Sequence, residues 1–255
     1  MIDALLAQLW PLALVMAGIG YWVHVSNRRR YKAQVQRNTA NAKAQGMGYT
    51  APAGIDGSGP LRGMHHFEGT TDGIVWKAET LFLTDQETGT YGLTQNNSQN
   101  YTRWTGTNAG TDSGALILMN LPAGVTAPQP AIDSNSGGFM SALTEKAAQA
   151  AFQLFARITF GTERSARLPL TPQHRVTLEA DAFGCAFVAF SDRSELLERL
   201  GPPARELLLE ERDQRVAFLW DAEGLSLTWP TPYLSPEDIA ARAAFGVRLA
   251  HAVVR

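Results

Sequence analysis

The chain of 255 residues has a single cysteine, Cys185. No disulfide can form within it, and no zinc site can be built on cysteine. This agrees with a reducing compartment. Cys185 stands in the apolar run Phe183-Gly184-Cys185-Ala186-Phe187. It is expected there as a small buried residue, because a reactive thiol needs an activating basic neighbour and the run has none. Histidine is also scarce, and only His65 and His66 are adjacent. Neighbours on a strand point to opposite faces, so the pair reads as two surface histidines rather than as ligands of one ion. No cluster of Asp, Glu, His or Cys has metal-site spacing, and neither a metal nor a cofactor is implied.

Charge is missing in two places. No Asp, Glu, Lys or Arg lies between Ala4 and Val25, and only Asp3 of the 24 acidic residues precedes Lys43. Beyond Lys43 stand 16 basic and 23 acidic residues. That acidic balance argues against nucleic acid as a partner. Internal repeats are absent too.

What is present begins with the apolar run Ala4 to Val25, followed at once by Arg28, Arg29, Arg30 and Lys32. As a helix it reaches about 33 Å, against a hydrocarbon core of about 30 Å. The sequence therefore predicts a transmembrane anchor. A signal peptide would carry a basic start and a small-residue cleavage site, and Met1-Ile2-Asp3 and the arginines supply neither. A buried core helix would be shorter and would show a polar stripe. Trp10, Tyr21 and Trp22 fit an interfacial aromatic belt. The basic flank is expected to contact lipid head groups and to hold the C-terminal body in the cytoplasm, with the N-terminus outside a bacterial inner membrane. Gly18 and Gly20 lack the four-residue spacing of a dimer face and read as ordinary glycines of a membrane helix.

Residues 31–63 read as a juxtamembrane segment and a Gly/Pro linker. From 64 to 130 the signals are β. Asp72-Gly73 is a turn before the strand Ile74 to Leu83. Tyr91, Tyr101 to Trp104 and Ala115 to Leu121 mark further strands, and the Asn/Thr-rich stretches between them read as hairpin tips. From 131 to 255 a helix is expected over Phe139 to Ile158, with strands over Val176 to Leu178 and Phe183 to Phe190. A helix capped by Ser191 or Ser194 runs to Leu200, and Pro202-Pro203 opens another reaching about Asp213. Val216 to Trp220 and Leu225 to Trp229 form a hairpin. Ser235-Pro236-Glu237-Asp238 opens a closing helix with Ile239, Ala243, Gly246, Ala250 and Val253 on one face. The expected fold is α+β: one N-terminal transmembrane helix (1–30), then a β-rich segment, then a helix/strand layer.

The strand FVAFSD, the Leu-rich helix, the hairpin VAFLWDAEGLSLTW and the closing helix together resemble uncharacterised bacterial membrane-anchored proteins of unknown function. Asp72-Gly73-Ile74-x-Trp76 fits the same pattern, and the resemblance covers residues 64 to 255. It implies no activity and no catalytic residues.

Three constellations touch on chemistry. Asp112-Ser113-Gly114, preceded by His65 or His66 and Asp85, has the His, Asp, Ser order of trypsin-like proteases. Some fifty residues cannot hold the two barrels that converge such groups, so the segment reads better as a turn into the next strand. Gly54 to Gly59 looks like a phosphate loop but lacks the strand, the helix and the Lys-Ser/Thr pair. Trp76, Trp104, Trp220 and Trp229 could line a ligand surface, but tryptophans in strands are more often core. With no convergent catalytic set, the expectation is a non-enzymatic accessory or scaffold protein of a larger inner-membrane complex. The alternatives are a ligand-binding module with a Trp-lined sheet and a serine hydrolase using Ser113.

Overall fold

The computed structural model describes residues 2–51, 65–88, 94–120, 156, 159–160, 162–231 and 235–254. Helix α1 spans Ile2–Ala44, where Ala, Leu, Gln and Lys favour the helix over most of its length. It ends in a Schellman cap. Gly46 takes φ of 73°, its N–H reaches the Lys43 carbonyl at 3.0 Å, and the Met47 N–H reaches that of Ala42 at 2.9 Å. The buried side chains of Ala42 and Met47 fix this end to the body.

Among the described residues no helix is long and apolar enough to cross a membrane. The expected single-pass anchor is corrected accordingly, and with it the inner-membrane location and the anchor-plus-domain fold. Within α1 the side chains of 2–13, 24, 27, 28 and 31 lie outside the described set. Side chains 14–23 of this helix are all exposed. The same helix then continues unbroken through the basic segment to Ala44.

The rest is not a β segment followed by a helix/strand layer. Among the described residues nine strands form one antiparallel sheet in the order β1-β2-β3-β4-β9-β8-β5-β7-β6. These are β1 Gly48–Thr50, β2 His65–Thr71, β3 Ile74–Thr88, β4 Thr94–Gly106, β5 Leu116–Asn120, β6 Arg175–Val176, β7 Phe187–Ser191, β8 Ala217–Asp221 and β9 Gly224–Trp229. β4 pairs with β9, and β5 sits between β8 and β7, so strands from both halves of the sequence alternate in one sheet. Asp72 and Gly73 both take positive φ, 49° and 81°, as the tight turn joining β2 to β3 requires. The Asn-rich stretch expected as a hairpin tip is strand instead: Asn96, Asn97 and Ser98 pair with Gln86, Asp85 and Thr84.

The shorter helices are α2 Thr162–Ser165, α3 Ala182–Ala186, α4 Ser194–Arg199 and α5 Pro202–Glu210. The closing helix is α6 Pro236–Val254. The strand expected from Phe183 begins only at Phe187; before it, Asp181 caps the single turn α3 by accepting from the Gly184 N–H at 2.8 Å. Phe183 and Phe187, four apart, turn to the core, which leaves Cys185 exposed on the other side. Neither serine caps α4. The N-cap is Arg193, and the Ser191 hydroxyl donates to the Ala115 carbonyl at 2.9 Å. Of the helix expected over 139–158, only Ala156 belongs to the described residues; Tyr91 and the loop 54–59 lie outside them.

Strand alternation sorts side chains onto two faces. One face carries Phe67, Trp76, Trp104, Phe218, Trp220, Leu227 and Trp229, buried under α3 to α6. Gly246 of α6 lies directly on the Trp104 ring: a Cβ there would come within 2.5 Å of it. The opposite face is apolar over β5, β7 and β8, where Ile117, Met119, Val188, Phe190 and Leu219 pack with Ala156, Phe160 and Leu170. Over β3, β4 and β9 the same face turns polar. That change of character creates the cleft described next.

Candidate functional site

Lys77 and Glu79 on β3, Arg103 and Thr105 on β4, and Ser226 on β9 share the polar face. With Thr107, Phe160, Glu163, Arg164, Arg167 and Glu223, the first four line a cleft of about 360 Å³. Two guanidinium groups sit deep in it, with side chains 15% exposed at Arg103 and 12% at Arg164. The Arg164 fork is engaged along its Nε–Nη2 edge and once at Nη1. Its Nε and Nη2 donate to the two carboxylate oxygens of Asp221 at 2.7 and 2.5 Å, and its Nη1 donates to Ser226 Oγ at 2.7 Å. This bidentate pair is the strong form of an arginine–carboxylate contact and pins α2 to the β8–β9 hairpin.

Arg103 is compensated differently. Its Nε and Nη2 both donate to one acceptor, the Thr159 carbonyl, at 3.1 and 2.6 Å. Its Nη1 stands 3.9 Å from Glu79, a carboxylate that also faces His66 at 3.4 Å. Burial depresses the Arg103 pKa below the ordinary arginine value; Glu79 opposes this and the Arg164 charge adds to it. Chemically the cleft offers oriented N–H and hydroxyl donors. Signals for it existed in the sequence as charged residues at alternate strand positions, Lys77 and Glu79 between Trp76, Ala78 and Thr80, and Arg103 between Thr102 and Trp104.

A second hollow, about 550 Å³, opens between α1 and the start of α6 and includes Arg30, Arg37, Asn38 and Glu237. It flanks the contact that docks α1, where Asn41 Nδ2 donates to Glu237 at 3.0 Å.

The residues singled out from the sequence are distributed as follows. Trp10, Tyr21, Trp22, Arg28, Arg29, Arg30 and Lys32 all lie on α1. Tyr21 and Trp22 are 73% and 70% exposed, and Arg29, Arg30 and Lys32 are exposed beside them. The side chains of Trp10 and Arg28 are outside the described set. Trp76, Trp104, Trp220 and Trp229 are buried and line no open surface. His65 is buried, with Nδ1 2.8 Å from the Tyr49 hydroxyl, while His66 points to the other face. Ser113 belongs to a turn closed by Thr111 Oγ1 donating to the Gly114 carbonyl at 3.0 Å, with Gly114 at φ of 81°. β2 and β5 lie five strand spacings apart, about 24 Å, so the histidines and Ser113 are not brought together. Among the described residues no group of three or more His, Cys, Asp or Glu could hold a metal ion. No protein-family pattern matches the chain, and neither a curated protein nor a solved structure is significantly similar to it.

Proposed function

We propose that this protein is a non-enzymatic accessory or scaffold protein, a subunit or regulatory partner of a larger assembly that it engages through α1. One observation carries the reading. Leu14, Val15, Met16, Ile19 and Trp22 on α1 are 52 to 70% exposed. Spaced at about 100° per residue they occupy more than half the helix circumference, and a helix apolar over so wide an arc is normally enclosed by other protein. Exposed Arg29, Arg30 and Lys32 follow directly, so a partner with an apolar groove and an acidic rim fits. The folded body offers a second contact surface, and two linked contacts raise effective affinity. The separation of β2 from β5 argues against the alternative of a hydrolase that joins Ser113 to His65.

The test is native separation of the full chain from gently lysed source cells, with mass spectrometry of what migrates with it. The parallel sample carries Leu14→Gln, Ile19→Gln and Val23→Gln, all on the exposed segment. The expected result is one defined assembly with the native chain and release of the variant. Migration of the native chain alone, at the 27.7 kDa of a single copy, contradicts the proposal.

A further inference from the structure

We infer that the polar cleft on β3, β4 and β9 is a binding site for a small oxyanion, a carboxylate or phosphate group, held by Arg103, Lys77 and Arg167. The four cations that line the cleft, Arg164 included, differ in how fully they are matched. Arg164 has a dedicated carboxylate at bonding distance in Asp221, and it forms the wall rather than the site. Arg103 is almost as deeply placed but, among the described residues, is met by a carbonyl and by a carboxylate 3.9 Å away. A guanidinium withdrawn from water and loosely paired gains most from an incoming anion, because charge-assisted hydrogen bonds strengthen as water is excluded.

Lys77 stands on the rim of the cleft, exposed and with no ion pair among the described residues. It lies opposite Thr105 on β4. Arg167 forms the other rim, 73% exposed, with the exposed Glu223 at 3.3 Å, which also stands 3.8 Å from Arg164, as the counter-charge an anion would replace. Phe160, buried in the second apolar cluster, closes one wall. Glu79, Glu163 and Glu223 limit the total negative charge admitted, so the site fits a small mono- or dianion and excludes a polyanion.

Calorimetric titration of the full chain with inorganic phosphate, and separately with succinate, at low ionic strength tests this, with chloride at matched ionic strength as the blank. The expected result is saturable binding of at least one anion. The pair Lys77→Gln and Arg167→Gln, both exposed and therefore harmless to folding, weakens it about tenfold or more. Binding of phosphate alone or succinate alone identifies the ligand head group. No saturable heat with either anion overturns the inference, and so does equal binding by the double variant. Arg103→Lys, which keeps the charge but loses the fork and its paired hydrogen bonds to the Thr159 carbonyl, is expected to weaken binding and also to lower the thermal midpoint of the free protein, so the exposed pair Lys77 and Arg167 carries the test.

Discussion

At the scale of single residues, stability turns on how buried groups are matched. Thr102 is fully buried, and its hydroxyl has no hydrogen-bond partner among the described residues. Thr102→Val keeps the shape and removes an unpaired polar group, so it should raise stability by about 1 kcal/mol, read from urea midpoints. A loss of stability would mean that the hydroxyl is bonded after all. Gly246 tests the opposite limit. Its missing Cβ leaves room for the Trp104 ring. Gly246→Ala should cost about 1–3 kcal/mol, despite the better helix propensity of alanine, because overpacking a filled core forces the ring to move. Cys185 shows why residue-level reading from the sequence failed where it did. Its neighbours are apolar, but a single helical turn, not a strand, sends it outward.

At the scale of elements, the local signals worked where the chemistry is local. Ser235 and Asp238 form a reciprocal cap on α6: Ser235 Oγ accepts from the Asp238 N–H at 3.2 Å, and the Asp238 carboxylate accepts from the Ser235 N–H at 3.2 Å. Pro236 starts the helix as the sequence predicts. Ser235→Ala should lower the thermal midpoint by an amount equivalent to about 1 kcal/mol, and Ser235→Asn should recover most of it. The hairpin of β8 and β9 and the turn at Asp72-Gly73 were legible for the same reason, since a few adjacent residues determine each. The cleft was not. Arg103 and Arg164 meet only because β4 pairs with β9 across more than one hundred residues of sequence, and strand alternation gives the face of a residue but not its neighbour. The anchor expected in α1 shares this difficulty, because an apolar run in a sequence does not say what encloses it.

At the scale of the whole molecule, one sheet and one large apolar cluster contain residues from Phe67 to Val253. Residues 65–120 and 175–229 should therefore unfold together. Tryptophan fluorescence and far-ultraviolet circular dichroism are expected to give coincident urea transitions, since Trp76 and Trp104 report on one stretch and Trp220 and Trp229 on the other. Two separated transitions would mean two independent units. The remaining asymmetry is α1, docked at its C-terminal end by Ala42, Asn41 and Met47 and bare over 14–23. Its occupant is the central claim. The most direct measurement places a photo-crosslinking side chain at Ile19 in intact source cells, with the same group at exposed Val75 on β3 as the control. The account predicts one discrete protein adduct from position 19 and none of that mass from position 75. Absence of any protein adduct at position 19, or an identical set from both positions, would contradict it.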